Sequence, residues 1–348
     1  MTEITLKNGL TLGDNSPCWV VADIGLCHNG NFDLAKEMIR LAVETGVDAV
    51  KLQKRDVDNL AIAEVLDADD SRFPSFGNTY RKIRQHIEFD MLQYRELKAY
   101  AESLGTLFFA SVFDIQSAEQ MAELDIPVLK IASHCLSNIP LMERLCKLGI
   151  PVLLSTGMAY WDEIDNTVDL LKNHNIPLAL YHCVSTYPHT PELANLRMIS
   201  NLKKKYNIPV GYSSHELDNY SAFLAVAHGA FSVEKHVTLN RKDEGFDHAI
   251  ALDMKGLNNL TTGIKKVEMT LGTGEKSVSD EEMITREKYH SSIVSAQAMR
   301  KGSIISREML TVKNPGTGIP SSRISSLLGK TVTTDIREDV LITEDMFA

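Results

Sequence analysis

The sequence predicts an α/β protein, a (β/α)8 barrel of the TIM type followed by a small C-terminal β-rich domain. Short apolar runs of strand length alternate with segments of helical periodicity as far as residue 272. Eight such runs over roughly 250 residues match the repeat of a (β/α)8 barrel. From residue 291 onward the pattern changes to short β-like pieces separated by turn signals, which indicates a second domain.

The eight apolar runs are the predicted barrel strands. They cover residues 19–22, 49–52, 107–110, 128–131, 152–154, 178–181, 209–212 and 231–233. Asp90, Asp114 and Asp253 precede helical segments, and we expect each to cap a helix because its carboxylate can accept from free backbone N–H groups. A doubly wound sheet is the structural alternative, but no GxGxxG follows the first strand.

Two stretches interrupt the alternation. Residues 54–88 are long and polar, and we expect them to form a loop over the barrel mouth. Residues 273–290 are an acidic, helix-prone linker between a barrel domain, 1–272, and a small domain, 291–348. A domain of that size can bury only a small core, so it is expected to dock onto something else.

Charge and composition exclude several classes of protein. The chain has 348 residues and a net charge of −10, and without a basic run it is a poor nucleic-acid binder. No stretch approaches the ~20 apolar residues of a membrane span, and the polar start lacks the layout of a signal peptide. The five cysteines form no CxxC pair, which predicts reduced thiols and a cytoplasmic protein.

Polar residues accumulate where the predicted strands end, the place at which barrel enzymes carry their active sites. Lys51 and Lys130 lie in separate core strands, and a buried ammonium is costly unless an anion meets it. Either lysine alone could instead extend its charge to the surface. Hydroxyl groups at other strand ends come from Ser111, Ser133, Ser155 and Ser213. Together these side chains predict a pocket for phosphate and carboxylate groups.

Two histidines and two cysteines leave alternatives open. His215 and His236 follow consecutive strands, which are neighbours in a barrel, so they are either a metal pair or hydrogen-bonded histidines. No basic partner is placed beside the cysteines by spacing. A nucleophilic role is therefore not expected for Cys183 and stays open for Cys135.

Short motifs follow one another along the whole chain in a specific order. In the barrel they are DIGxxHNG from Asp23, VKLQ from Val50, LKIAS from Leu129, LSTGM from Leu154, HCxSxYP from His182, GYSxH from Gly211 and EKH from Glu234. This order and spacing resemble the sialic acid (N-acetylneuraminate) synthase family. Beyond the barrel, KG at Lys301, EMLT from Glu308, PGxGI from Pro315 and LGK from Leu328 resemble that family's antifreeze-like SAF domain.

The resemblance implies a condensation of phosphoenolpyruvate with an N-acylated hexosamine, typically N-acetylmannosamine, that depends on Mn²⁺ or Mg²⁺ and gives a nonulosonic acid and phosphate. Carried over by position, the residues for phosphoenolpyruvate are Lys51, Ser111, Lys130, Ser133, Ser155, Ser185 and Ser213. Those for the metal are His215 and His236, and those for the acceptor sugar are Gln53, Tyr187, Asp247 and Asn314. The resemblance also implies a domain-swapped homodimer.

The catalytic positions implied by the resemblance are Asp23, Lys51, Lys130 and Cys135. Three positions depart from the family pattern. Asp23 stands where the family has a glutamate, His134-Cys135 stands where an acidic residue is usual, and Asn314 replaces an arginine that reaches a partner subunit's barrel. The acceptor is therefore open: N-acetylmannosamine, or a different aldose of surface-polysaccharide synthesis. A non-catalytic carbohydrate-binding relative is the further alternative.

Overall fold

The computed structural model describes residues 2–348 and divides the chain into two compact units that meet at Gly272. The first unit opens with a hairpin of β1 (Glu3–Thr5) and β2 (Thr11–Gly13). Eight parallel strands follow: β3 (Trp19–Gly25), β4 (Ala49–Lys54), β5 (Leu107–Val112), β6 (Leu129–Ile131), β7 (Val152–Ser155), β8 (Leu178–Cys183), β9 (Val210–Ser214) and β10 (Ser232–His236). Pairing of β10 with β3 closes the sheet, which confirms the predicted TIM barrel.

Helices connect the strands and cover the outside of the barrel. They are α1 (Phe32–Glu44), α2 (Ala63–Leu66), α3 (Tyr80–Ile87), α4 (Met91–Ser103), α5 (Ile115–Glu123), α6 (Ile139–Leu148), α7 (Trp161–Asn173), α8 (Arg197–Tyr206), α9 (Tyr220–Ala227) and α10 (Met254–Leu271). The three predicted caps are confirmed. Asp90, Asp114 and Asp253 each accept a backbone N–H three residues on, at 2.9, 2.7 and 2.7 Å.

Strand alternation builds the barrel interior in two layers, because every second side chain points inward. The lower layer is apolar and includes Trp19, Val21, Ala49, Phe109, Val128, Leu153, Ala179, Tyr181 and Phe231. Two residues further along, the same inward face turns polar, so that Val21 is followed by Asp23 and Ala49 by Lys51. The fold therefore gathers the polar side chains at the C-terminal ends of the strands, directly above an apolar plug.

The N-terminal hairpin closes the opposite end of the barrel. Ile4, Leu6 and Leu12 are buried in the same apolar cluster as the lower layer. Next to them, the Lys7 N–H donates at 3.0 Å to the carbonyl of Pro127, two residues before β6. The interior is consequently sealed at the N-terminal ends of the strands.

Residues 54–88 differ from the predicted loop, because they contain α2 and α3 as well as a 3₁₀ turn at Val57–Asn59. Ile83 and Ile87 of α3 are buried against Leu26, and three phenylalanines, Phe73, Phe76 and Phe246, pack around them. This separate apolar cluster stabilises α3. The polar composition of residues 54–88 does not indicate a helix there.

The second unit, Thr273–Ala348, contains α11 (Asp280–Tyr289) and an antiparallel pair, β11 (Ser292–Ser295) with β12 (Leu310–Lys313). The remaining predicted β pieces form isolated bridges, such as Val294 with Leu341 and Ile304 with Thr331. Its core includes Ile293, Met299, Ile305, Leu310, Ile319, Leu327, Val332, Ile336, Ile342 and Phe347. None of the helices in residues 2–348 combines the length and the apolar character needed to cross a membrane.

Candidate active site

The polar upper layer of the barrel surrounds a cavity of about 240 Å³. Its wall includes most of the side chains that the sequence singled out: Asp23, Lys51, Gln53, Ser111, Lys130, Ser133, Ser155, Ser185, Tyr187, Ser213, His215, His236 and Asp247. All eight barrel strands contribute to this wall, together with loops that follow them. Cys135 and Asn314 are the two predicted site residues that lie elsewhere.

Two lysines and two carboxylates form the floor of the cavity, a name used below for Asp23, Lys51, Lys130 and Glu234. Lys51 Nζ lies 2.7 Å from Asp23 Oδ2 and 3.6 Å from Glu234 Oε1, and Lys130 Nζ lies 2.8 Å from Glu234 Oε2. All four side chains are almost completely buried. The anion that the buried lysines require is therefore supplied first by the chain itself.

Opposite charges alternate in the floor and act on the pKa values of Glu234 and of both lysines. Burial raises the pKa of Glu234, but Lys130 and Lys51 outweigh burial and bring this pKa to about 2. Burial lowers the pKa of Lys51, but Asp23 and Glu234 more than offset it and raise this pKa overall. For Lys130, burial prevails over Glu234, so its pKa is lowered. Glu234 is accordingly an anion at neutral pH that both lysines share.

Hydroxyl groups surround the floor. Lys51 Nζ donates to Ser111 Oγ at 2.8 Å, and Ser213 Oγ donates to Glu234 Oε1 at 3.4 Å. Ser133 Oγ accepts the backbone N–H of Gly157 at 3.1 Å. A Cβ on Gly157 would come within 2.4 Å of Ser185 Oγ and 2.7 Å of Ser133 Oγ, so any other residue here would displace both hydroxyls. The hydroxyls and this N–H form a cradle suited to the oxygens of a phosphate group.

The two predicted metal ligands lie side by side above the floor, with ring centroids 5.6 Å apart. His215 Nδ1 is 2.8 Å from the carbonyl of Val184 and must donate to it, which leaves the lone pair on Nε2. His236 Nδ1 is 3.5 Å from Asp23 Oδ2. His236 Nδ1 and Asp23 Oδ1 are buried and have no hydrogen-bond partner within the described part of the chain.

The imidazole nitrogens of His215 and His236 and the carboxylate of Asp23 are ligand types that fit a divalent cation. Such a cation would take its further ligands from water or substrate. Imidazole nitrogens suit transition metals, and a carboxylate oxygen suits Mn²⁺ or Mg²⁺. Among residues 2–348, no group of three or more His, Cys, Asp and Glu side chains is arranged to hold a metal. A cation at this place would therefore rest on the two histidines and would depend on a ligand from outside the chain.

A second group of side chains forms the mouth of the cavity, a name used below for Arg55, Arg84, Phe246 and Asp247. Arg55 follows β4 and Arg84 lies on α3, and both line the cavity. Arg55 Nη2 donates to Gln53 Oε1 at 2.6 Å, which orients the amide predicted to contact the sugar. Tyr187 packs over His215 with ring centroids 4.2 Å apart and closes the opposite side.

The sequence interpretation missed both arginines and did not include Glu234 in the site. Arg55 could have been found from alternation, since Lys51, Gln53 and Arg55 are spaced by two along one strand. Glu234 precedes His236 by two and shares its inward face for the same reason. Arg84 gives no comparable signal, because it lies on a helix within the segment predicted to be a loop.

The thiol of Cys135 is not part of the cavity wall. Its Sγ donates to the carbonyl of Phe113 at 3.6 Å, and burial raises the pKa of the thiol to about 11. The neighbouring His134 lines the cavity instead, stacked on the ring of Phe113 with centroids 5.2 Å apart. The geometry therefore gives no support to the predicted catalytic role of Cys135, which stays protonated behind the wall at neutral pH.

Asn314 lies in the second unit, directly after β12, and its side chain is exposed. The peptide bond between Asn314 and Pro315 is cis. The predicted contact of Asn314 with an acceptor sugar needs the barrel of another subunit, so it remains a prediction.

Comparison with known proteins places this geometry in a family. The model of the NeuB family matches residues 38–276, and that of the SAF domain matches residues 290–348. The N-acetylneuraminate-9-phosphate synthase of Homo sapiens is 36% identical over 346 residues, which cover 99% of this chain and 96% of that protein. The N,N'-diacetyllegionaminic acid synthase of Legionella pneumophila is 34% identical over 331 residues, which cover 93% of each protein.

A solved structure similar to this chain is also that of a synthase of this type. The crystal structure of an N-acetylneuraminic acid (sialic acid) synthetase from Leptospira borgpetersenii, in complex with citrate, is 34% identical. The match covers 82% of this chain and 95% of that one, with a TM-score of 0.71. The chain therefore belongs to the NeuB family and is an enzyme of the sialic acid and nonulosonate synthase type, with a C-terminal SAF domain.

Proposed function

We propose that this enzyme condenses phosphoenolpyruvate with the open-chain aldehyde form of an N-acylated hexosamine and water, giving a nonulosonic acid and inorganic phosphate. One observation carries the proposal. A floor with two buried lysines, ringed by hydroxyls, lies directly below the two histidines. Cationic and hydroxyl donors suit a small trianionic substrate, and the open upper part of the cavity has room for a polyol chain.

In the proposed arrangement, phosphoenolpyruvate binds over the floor. Lys51 and Lys130 donate to its phosphate and carboxylate oxygens, while Ser133 Oγ, Ser185 Oγ and the Gly157 N–H orient the phosphate. Because Glu234 and Asp23 already pair with the lysines, the substrate shares these ammonium groups with them. Such fixed, prepaired donors need little reorganisation when the substrate binds.

The acceptor binds above, with Gln53, Tyr187 and Asp247 along its chain. Carbon 3 of phosphoenolpyruvate forms a bond to the aldehyde carbon, water adds at carbon 2, and the carbon–oxygen bond to phosphate breaks. Asp23 lines this cavity and its Oδ1 has no hydrogen-bond partner in residues 2–348, so in the proposed reaction it accepts a proton from the attacking water. A Mn²⁺ or Mg²⁺ ion on His215 and His236 would polarise the aldehyde oxygen as a Lewis acid.

The proposed quaternary structure is a domain-swapped homodimer in a reducing cytoplasm. The second unit has a small core of its own, and swapping such a unit is an accessible route to a dimer. Light scattering on the full chain would measure the mass in solution. A single-chain mass at micromolar concentration would contradict the dimer without affecting the reaction.

Phosphate release from phosphoenolpyruvate tests the reaction directly. The panel of acceptors contains N-acetylmannosamine, other N-acylated hexosamines and their phosphorylated forms, each with Mn²⁺ or Mg²⁺. We expect phosphate and a nine-carbon keto acid in equal amounts with at least one acceptor, and the preferred one identifies the substrate. Phosphate release that does not depend on any acceptor, or no release at all, would contradict the proposal.

A further inference from the structure

The two arginines of the mouth are held in place by aromatic rings. The guanidinium carbon of Arg55 lies 3.6 Å from the ring centroid of Phe113, and that of Arg84 lies 4.1 Å from that of Phe246. Arg55 is only 8% exposed, and Arg84 is half-buried. Packing against a ring face fixes the plane of a guanidinium group, so neither side chain is free to turn its donors toward bulk water.

Several of their donors have nothing to bond to. Within residues 2–348, Arg55 Nη1, Arg84 Nε and Arg84 Nη1 are buried without a hydrogen-bond partner. Asp247 also lines the cavity but forms no ion pair with either arginine in residues 2–348, and the other nearby carboxylates are paired with other side chains. Lys54 Nζ lies 2.7 Å from Glu88 Oε1, and Arg72 Nη2 lies 2.6 Å from Asp70 Oδ2.

The two guanidinium groups also repel each other. Burial and the charge of Arg84 lower the pKa of Arg55 to about 10, which leaves Arg55 charged at neutral pH. Buried, unpaired like charges are costly unless a partner of opposite sign meets them. Within residues 2–348, Lys51 and Lys130 have ion-pair partners in the floor, whereas Arg55 and Arg84 form no ion pair.

The arginines lie away from the place proposed for phosphoenolpyruvate. Arg55 is four residues beyond Lys51 along the direction of β4, about 13 Å at the rise of an extended strand. The hydroxyl cradle belongs to β5, β9 and the loops after β6, β7 and β8, whereas the arginines come from just after β4 and from α3. A ligand at the arginines therefore extends from the reacting centre toward the opening.

We infer that Arg55 and Arg84 form an anion subsite for the remote end of the acceptor, which would carry a phosphate ester or a carboxylate at carbon 6. This inference rests on the proposed function. Phosphoenolpyruvate adds three carbons at the aldehyde, so carbon 6 of the hexosamine is the far end and becomes carbon 9 of the product. Two planar guanidinium groups offer the paired donors that phosphate and carboxylate oxygens accept.

Sequence similarity does not determine whether the acceptor is charged at carbon 6. The relative from Homo sapiens is named for a 9-phosphate product, and the one from Legionella pneumophila is named for a product without phosphate. The unpaired arginines of this chain, rather than its similarity to either relative, favour a charged acceptor.

The experiment compares kcat/KM for three acceptors that differ only at carbon 6: N-acetylmannosamine, its 6-phosphate and its 6-carboxylate. The wild-type enzyme should prefer one charged acceptor over the neutral one by about ten- to a hundredfold, and the better of the two identifies the anion. Arg84→Gln should reduce this preference at least tenfold, and Arg84→Lys should restore part of it. Arg84 carries the test because Arg55→Gln alters a fully buried side chain.

Arg81→Gln is the matched control, since Arg81 lies on the same helix and pairs with Asp58 and Asp67 outside the cavity. It should keep the wild-type preference. Equal kcat/KM for charged and neutral acceptors in the wild type, or an unchanged preference in Arg84→Gln, would overturn the inference. An Arg84→Gln enzyme that loses affinity for phosphoenolpyruvate instead would assign the arginines to that substrate and overturn it as well.

Direct binding separates this inference from the proposed reaction. Should no acceptor release phosphate, the proposed function fails, and calorimetry with the same three sugars still decides the subsite. Binding of a charged sugar at least tenfold tighter than the neutral one, lost in Arg84→Gln and kept in Arg81→Gln, supports it. Equal binding of all three sugars overturns it.

Discussion

The floor and the mouth of the cavity are charged in different ways. In the floor, Lys51 and Lys130 are paired at 2.7 and 2.8 Å with carboxylates from other strands of the barrel. In the mouth, Arg55 and Arg84 have buried donors without a partner in the described residues 2–348. The floor is built on barrel strands, whereas the two arginines of the mouth come from the segment between β4 and α4, and Phe246 and Asp247 come from the loop after β10. Under the proposed function, we expect the common chemistry to depend on the barrel strands and acceptor choice to depend on the groups of the mouth.

The largest expected effect concerns the histidines between the two regions. His215→Gln together with His236→Gln should lower kcat by about a thousandfold or more, because a Lewis acid contributes several kcal/mol to such a step. Phosphoenolpyruvate should still bind to the floor in calorimetry. Removal of metal with a chelator should have the same effect, and added Mn²⁺ should reverse it.

His174→Gln, on the exposed end of α7, is the control for that pair and should behave like the wild type. Full activity in the double variant, or in chelator-treated enzyme, would remove the metal from the mechanism.

The next prediction breaks the floor. Lys130→Met should weaken phosphoenolpyruvate binding about ten- to a hundredfold, the worth of a charge-assisted hydrogen bond. It should also cost about 3–5 kcal/mol in the free energy of unfolding, because it leaves Glu234 buried with one partner fewer. Calorimetry and urea denaturation measure the two effects separately, and Lys51→Met should weaken binding to a similar extent.

Adding Glu234→Gln to Lys130→Met distinguishes stability from binding. The second change removes the unpaired charge, so stability should largely return while phosphoenolpyruvate binding stays weak. Recovery of both quantities in the double variant would show that the lysine serves the fold and does not bind the substrate.

A smaller effect is expected from substitution of Asn314, which tests whether this residue influences the choice of acceptor. Asn314→Arg should change relative kcat/KM among N-acylated hexosamines several-fold, toward N-acetylmannosamine, because arginine offers two fixed donors to an amide carbonyl. The KM for phosphoenolpyruvate should stay nearly constant. An acceptor ranking that is identical in Asn314→Arg, Asn314→Ala and the wild type would limit Asn314 to its turn with Pro315.

The smallest effect is expected at Cys135. Because its thiol lies behind the cavity wall, Cys135→Ala should leave kcat/KM within about twofold of the wild type and cost about 1 kcal/mol of stability. Steady-state rates and thermal unfolding check both quantities. A loss of kcat by tenfold or more without unfolding would restore the predicted catalytic role.

Much of the floor could be predicted from sequence, because strand periodicity is local. Once eight strands are assigned, alternation places Asp23, Lys51 and Lys130 on the inward face at the catalytic end. The local sequence pattern does not predict which side chains form ion pairs across the barrel. Lys130 and Glu234 are separated by 104 residues and lie on strands that are not neighbours in the sheet.

The mouth could be predicted far less well. Its α3 helix packs Ile83 and Ile87 against Leu26 and Phe246, contacts that join distant parts of the chain. Polar composition and the glycine and proline residues of 54–88 indicate a loop until those contacts are known. The position of Arg84 in the cavity wall can therefore be recognised only from the three-dimensional structure.

The hairpin that seals the N-terminal end of the barrel has a kinetic consequence. With Ile4, Leu6 and Leu12 buried in the apolar plug, substrates and product share a single entrance. Under the proposed function, phosphoenolpyruvate must arrive first, since an acceptor already in the mouth obstructs the way to the floor. The reaction should then follow a compulsory order, and a high acceptor concentration should inhibit it by competing with phosphoenolpyruvate for passage rather than for a common site.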